Sequence, residues 1–453
     1  MFHRSKAWPL FTLCILIVTG CSSNNDCAFE AAVLTDSGLK VEQSCSNLSV
    51  TLSPEVKVDD TWRSGACTLA DNTLTCLISE LGRLQATITD GDAELVFHAE
   101  SDLEVAGLRW FGEGTIPGAD TVLSNGFQSW SHSGLISLGG AIGNNQLLKA
   151  LNAQGDEEVL REGRELSWWY SYAGSQAGPS LMAGVTEVNN WHSWTRIYNH
   201  PESEGLVQVE LTCGGNGETI AVATGDKVSA ETWYIAGGND LHGMLRTHAS
   251  HITTRRTEYP IQADVGWNSW YDLWDKVSAQ DVLDNATIAS DILTPHLPES
   301  VDHLRIVVDD GWQEAWGMWT PNEKFPDGLV GVAESLAADN MKAGVWLAPL
   351  LVGPGTTLAQ EHPEWLVQGA EFGHPVHGGL KVLDVTHPEA AEHLKNVIQT
   401  IVGWGYDLLK IDFLFAGTFP GGRYEDMTGM QAYKLAMQII REAAGEETIL
   451  LAV

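Results

Sequence analysis

Leu408-Leu409-Lys410-Ile411-Asp412-Phe413 is an apolar run interrupted by a lysine and an aspartate two residues apart. It follows a helical pattern that opens at Pro388, in which Ala391, Leu394, Val397, Ile398 and Ile401 recur on one face before Gly403 and Gly405 stop it. The same alternation extends outward in both directions. Further apolar, strand-like runs are Ala263–Trp267, Leu304–Val308, Ala343–Leu347 and Thr448–Val453, and amphipathic helical patterns lie near 279–292, 332–341, 388–402 and 430–444. Continuous apolar strands alternating with helices imply parallel strands covered on both faces. An open doubly wound sheet would satisfy that pattern as well. No glycine-rich phosphate loop follows the first strand, which favours a β/α barrel.

Toward the N-terminus the texture changes. From about 27 to 250, short alternating runs recur, such as Leu84-Gln85-Ala86-Thr87-Ile88, Ala93-Glu94-Leu95-Val96-Phe97 and Leu206 to Leu211, separated by Gly, Asn and Asp turns. Many short strands without a convincing helix suggest a sandwich of two large sheets. The expected architecture is multidomain, β then α/β: a leader over 1–21, a β-sandwich over 22–253, and a barrel beginning at 254. Residues 254–453 hold only about the first four to five strands of an eight-stranded barrel, so the chain is expected to be part of a longer product.

The leader has a basic start at His3, Arg4 and Lys6, an apolar run from Leu10 to Val18, and then Val18-Thr19-Gly20-Cys21 before polar Ser22-Ser23-Asn24-Asn25. Small residues ending in a cysteine resemble a bacterial lipobox, which would make Cys21 a lipid-bearing N-terminus; an ordinary cleaved leader is the alternative. Both place the protein outside the cytoplasm. The lipobox reading anchors it to the bacterial cell envelope, at the outer membrane or facing the periplasm. Export permits disulfides. Cys67 and Cys76 bracket a hairpin-like segment turning at Asp71-Asn72, so these two are paired, as are Cys27 and Cys45, leaving Cys213 free; other connectivities stay open. No Cys/His spacing suits a metal, and no cofactor is expected.

Composition narrows the partners. The 453 residues carry 25 Lys and Arg against 59 Asp and Glu, a formal net charge of −34. Without a basic patch, such a chain repels phosphate backbones, which excludes nucleic acid. The 18 Trp outnumber the 9 Tyr and the 11 Phe. Flat apolar rings with an N–H handle suit stacking on sugars.

In a parallel β/α barrel, functional groups gather at the C-terminal ends of the strands. Those ends read Gly266-Trp267-Asn268-Ser269-Trp270-Tyr271, Asp309-Asp310-Gly311-Trp312, Gly344-Val345-Trp346-Leu347-Ala348-Pro349 and Leu409-Lys410-Ile411-Asp412-Phe413. Lys410 and Asp412 project from one face of their strand, and a lysine beside an aspartate favours the ionised carboxylate. An ionised carboxylate in a dry pocket suits attack on an anomeric carbon; a buried structural ion pair is the bland alternative. Asp309 and Asp310 could make bidentate contacts with vicinal sugar hydroxyls, or merely cap a helix or shape a turn.

Together these strand ends resemble glycoside hydrolase family 36, the bacterial α-galactosidases or melibiases. The runs Leu383–Pro388 and Asn125-Gly126-Phe127-Gln128-Ser129-Trp130 add to the likeness. It is specific over about 260–453, weaker over 120–250, and does not extend before 100. It implies a β-sandwich followed by a (β/α)₈ barrel and an exo-acting, retaining hydrolase of terminal α-galactosyl units. By the resemblance, Asp412 would be the nucleophile, Lys410 would hold a sugar hydroxyl, and Asp309 and Asp310 would hold the C4 and C6 hydroxyls. Trp270 and Trp346 would line the pocket, and Trp130 would reach it from the sandwich. The family's acid/base aspartate belongs to a later strand and has no match before Val453, so this chain alone is expected to be inactive. Three alternatives stay open: an α-N-acetylgalactosaminidase, a galactosyl transferase, and a non-catalytic sugar-binding surface lipoprotein. A homo-oligomer is also open.

Overall fold

Strict alternation of apolar and polar side chains over Leu48–Val58 gives a strand with every second residue buried, as a half-buried sheet requires. Repeated through the first half of the chain, this pattern builds two antiparallel sheets. The computed structural model describes residues 29–128, 131–140, 166–176, 178–254, 264–374 and 376–453. Among them, an eleven-stranded and a nine-stranded sheet stack face to face. Leu39, Val50, Phe97, Trp110, Leu211 and Trp233 fill the space between them. Cys67 and Cys76 face each other across a hairpin and are disulfide-bonded. Its turn residues, Asp71 and Asn72, have φ of 48° and 60°, the left-handed pair that closes a two-residue hairpin. Cys45 is disulfide-bonded, whereas Cys21 and Cys27 lie outside the described residues. Cys213 is free and buried.

One helix escapes the β reading of this half. Leu241–Thr254 packs Met244 against Met182, Tyr234 and Ala236 on a sheet face. Its apolar positions are few and interspersed with His and Thr, so it carries little helical periodicity.

Beyond it lie five parallel strands: β1 (Gly266–Asn268), β2 (Leu304–Val308), β3 (Met341–Leu347), β4 (Leu408–Ile411) and β5 (Ile449–Ala452). They pair in chain order, each beside the next. A doubly wound sheet would reverse its strand order at a switch point. Among the described residues this five-stranded sheet has no reversal, the order expected of the barrel reading. The helices α1 (Ala279–Leu293), α2 (Gly328–Ala338), α3 (Pro388–Gly403) and α4 (Gly429–Ala444) alternate with the strands. Their starts follow local chemistry. Ser278 with Asp281 and Thr428 with Gln431 form capping boxes, and Pro388 occupies the first turn of α3. On α3 the buried face is Ala390, Leu394, Ile398 and Ile401.

Two insertions follow strand ends. After β2 comes a hairpin of Gln313–Ala315 and Met318–Pro321; after β3 comes a three-stranded antiparallel sheet of Leu351–Val352, Leu366–His374 and Gly378–Leu383. Neither was legible as an apolar alternation.

The sandwich and the parallel sheet share a core, because Phe127, Leu166, Trp168 and Trp194 join the apolar cluster around β2 to β4. A polar clamp reinforces it. Glu218, from the sandwich, accepts the Gly429 N–H at the start of α4 (2.6 Å) and the Asn216 amide (3.1 Å). Burial alone would push its pKa up, but hydrogen bonds from His192, Gly429 and Asn216 hold it below the usual carboxylate range.

Candidate active site

The carboxyl ends of β1 to β4 converge on three aspartates. Asp309 and Asp310 follow β2 directly and are buried. The Asp309 carboxylate takes three donors: Lys410 Nζ (2.7 Å) and Asn268 Nδ2 (2.8 Å) on Oδ2, and the Asp310 N–H (3.0 Å) on Oδ1. Its own N–H donates to Ser269 Oγ (2.9 Å). Groups from β1, β2 and β4 are thereby locked together. Asp310 Oδ1 accepts Gln313 Nε2 (2.6 Å) and Trp316 Nε1 (3.3 Å), while Oδ2 faces His377 Nε2 at 4.0 Å. Burial raises the Asp310 pKa, with Asp309 adding to the rise against Gln313, His377 and Trp316.

Asp412 stands just past β4. Its Oδ2 accepts Trp346 Nε1 (3.0 Å) and its Oδ1 accepts the Phe413 N–H (2.7 Å). Phe413 adopts a left-handed backbone, φ 53°, a conformation that bulky residues reach only at a cost. It follows the carboxylate whose Oδ1 its N–H meets. Burial raises the Asp412 pKa, opposed by Trp346, Phe413 and the Lys410 charge.

These contacts alter two sequence-based expectations. Lys410 does not pair with Asp412; its ammonium sits on Asp309, and the nearer polar partners of Asp412 are neutral N–H groups. Trp346 is buried, and it meets Asp412 through its indole N–H, not through an open face. Its ring packs against Trp316 and Trp319. The tryptophan excess is also largely structural: Trp110, Trp168, Trp191, Trp233 and Trp312 are fully buried. Trp270 is half-buried, at the end of β1, where its N–H donates to Asn268 Oδ1 (2.8 Å). Trp130 lies outside the described residues.

Asn268, Ser269, Gln313, Trp316 and His377 were not singled out from the sequence. The first two stand in the strand end Gly266–Tyr271, where they could have been found by position. The other three come from the insertions. His374 and His377 both lie against the Trp316 ring, at 5.2 and 4.7 Å; burial and the His377 charge lower the His374 pKa to about 4, so this imidazole is neutral at pH 7. In Leu383–Pro388, Asp384 serves as a tie: it accepts the Tyr424 N–H (2.7 Å) and both the N–H (3.0 Å) and hydroxyl (2.6 Å) of Thr386.

Gly311 places the Asp309–Asp310 turn. Its φ is +115°, and a Cβ there would lie 2.6 Å from the Asp275 carbonyl oxygen. Gly311→Ala is expected to destabilise the fold by about 2–4 kcal/mol, combining left-handed strain with a backbone clash, and to displace both carboxylates. Urea denaturation checks the first effect and sugar titration the second.

Parts of this chain are similar to known proteins. The melibiase family model matches residues 239–414, spanning β1 to β4. The α-galactosidase of Escherichia coli is 27% identical over 216 residues, 45% of this chain and 29% of that protein. A probable α-galactosidase of Emericella nidulans is 26% identical over 180 residues, 36% of this chain and 23% of the relative. The matches thus span about a quarter of those relatives' length. Among solved structures, a family-36 α-galactosidase from Geobacillus stearothermophilus superposes with a TM-score of 0.60 at 14% identity, covering 86% of this chain and 60% of that one. An α-galactosidase from Thermus thermophilus, in complex with p-nitrophenyl α-D-galactopyranoside, gives 0.56 at 23% identity, covering 82% and 70%. At these identities the structures attest the shared fold. Over residues 239–414, the chain is similar to the melibiases, the family of the α-galactosidases it matches.

Proposed function

We propose that this chain carries the galactose-binding wall and the nucleophile of an exo-acting, retaining α-galactosidase working outside the cytoplasm. The observation that supports this best is the convergence of Asp309 and Asp310 from the end of β2 with Lys410 and Asp412 from the end of β4, each tied by directional hydrogen bonds. A structural ion pair would need only Lys410 and Asp309. It would not need a further carboxylate, Asp412, half-buried next to a lysine that is engaged elsewhere.

In this reading Asp412 attacks the anomeric carbon. A galactosyl ester forms on one of its oxygens as the bond to the aglycone breaks. Trp346 Nε1 and the Phe413 N–H orient the carboxylate, and their neutrality leaves its negative charge available to the developing oxocarbenium ion. Burial raises the Asp412 pKa against these two donors, and a carboxylate that has shed part of its hydration is the more reactive nucleophile. Asp309, Asp310 and Lys410 hold hydroxyls of the terminal sugar. The acid/base carboxyl that a retaining mechanism sets ~5–5.5 Å from the nucleophile is not assigned to any residue of this chain.

The test is a titration of this chain with galactose and with glucose, its C4 epimer, followed by tryptophan fluorescence and calorimetry. Galactose is expected to bind at least ~10-fold more tightly, because a hydroxyl on the wrong face leaves buried carboxylate oxygens unpaired. Equal affinity for the two would refute the reading.

A further inference from the structure

The loop after β1 presents aromatic rings to solvent beside the carboxylate turn. Tyr271 is 87% exposed and Trp274 60%, while Trp270 lies 5.2 Å from the Trp274 ring. An exposed Trp taken singly means little. Trp274, however, is also held at φ 53°, ψ −141°, a backbone region that suits glycine and strains a bulky side chain. The fold sustains that strain without burying the ring, so core packing does not account for it.

The loop is locked to the sugar site from both ends. At one end, the Trp270 N–H bonds Asn268, whose amide holds Asp309. At the other, the Asp275 backbone lies against Gly311, the residue after Asp310, and its carbonyl accepts the Lys324 ammonium. Trp274 is the residue before that contact. Its backbone is therefore fixed beside the turn that carries Asp309 and Asp310, its ring is exposed next to Trp270, and its chain neighbours include the exposed Asp272 and Asp275. Aromatic faces flanked by carboxylates match a sugar ring, which has an apolar face and an equator of hydroxyls.

We propose that Trp274, with Trp270 and Tyr271, is a stacking platform for the sugar unit next to the terminal galactosyl group. This rests on the galactose-binding reading above and extends it to the aglycone: the platform selects α-galactosides that continue into a second pyranose ring over galactosides of small alcohols. Asp272 and Asp275 accept hydroxyls of that second ring.

The test variant is Trp274→Gly, which removes the ring while suiting the backbone conformation. Binding of galactose and of stachyose to wild type and variant is measured by calorimetry, with thermal unfolding in parallel. Wild type is expected to bind stachyose more tightly than galactose. Trp274→Gly should lose about tenfold in stachyose affinity, hold galactose within twofold, and keep or raise its melting temperature. Trp274→Tyr should restore most of the stachyose affinity, because a flat ring returns. An unchanged ratio of stachyose to galactose affinity in Trp274→Gly overturns the platform. So does a large drop in melting temperature, which would make the ring a packing element. Wild type that binds no galactose overturns the pocket itself, and this inference with it.

Discussion

Asp412→Asn is expected to abolish covalent labelling of the protein by dinitrophenyl α-galactoside while galactose binding stays measurable. Dinitrophenolate leaves without being protonated, so this reagent reports on the nucleophile alone and needs no acid/base partner. If Asp412 attacks, wild type gains the mass of one galactosyl unit on the peptide that contains it, and the variant labels at least ~10⁴-fold more slowly. The amide keeps the shape of the carboxylate and most of its contacts, so the pocket should persist. Labelling of the variant at the wild-type rate would remove Asp412 from the role. The same pair of proteins carries a pH signature. Burial raises the Asp412 pKa in the folded chain above its unfolded value, so the folded state binds that proton more tightly. The associated stabilisation is full below the unfolded value of about 3.9 and is lost as pH rises through the folded value. Wild-type stability relative to Asp412→Asn should therefore improve on acidification from pH 7. Urea denaturation at several pH values measures it, and the opposite slope would contradict a half-buried, destabilised carboxylate.

The second large effect concerns Lys410. Its ammonium is the cation bonded to Asp309, whose side chain is 3% exposed. Lys410→Met leaves that carboxylate with only the Asn268 amide and the Asp310 N–H. Removing one partner of a buried pair typically costs ~3–5 kcal/mol, which denaturant unfolding will read directly. Galactose affinity should fall roughly 100-fold, the equivalent of about 2.7 kcal/mol, as a charged donor to a hydroxyl disappears. The double variant Lys410→Met/Asp309→Asn neutralises the stranded charge and should recover most of the stability but none of the binding. Recovery of both would mean that the pair is structural and the bland reading of Lys410 is correct. Loss of both in the single variant with no recovery in the double would point to a wider collapse of the site.

The alternation of apolar strands and amphipathic helices from Leu304 to Ala452 was readable because both signals are local. Each strand needs a run of apolar residues, and each helix needs a face, a cap and a stop. Pro388 and Gly403 mark helix ends within a few residues of where they fall. The hairpin at Asp71-Asn72 was readable for the same reason, since a turn requiring left-handed backbone selects its residues. The helix Leu241–Thr254 was not, because its burial comes from one face of few apolar residues set against an existing sheet.

Position along the chain also determined which residues could be functional. Trp270, Asp309, Asp310, Trp346, Lys410 and Asp412 stand at strand ends, and parallel strands bring their ends together whatever lies between. What each residue does there was decided by tertiary structure. Lys410 and Asp412 share a strand face, and spacing alone pairs them. In three dimensions the Lys410 ammonium lies within 2.7 Å of a carboxylate from another strand, one that also takes the Asn268 amide, and two neutral N–H groups from β3 and the backbone hold Asp412. Trp346 reads as a stacking surface by type, but packing by Trp316 and Trp319 leaves it only an N–H to offer. The physical reason is range. Backbone preference and amphipathic periodicity act within a few residues, whereas the partner of a buried charge is whichever group the packing brings within hydrogen-bond distance, here 101 residues away along the chain.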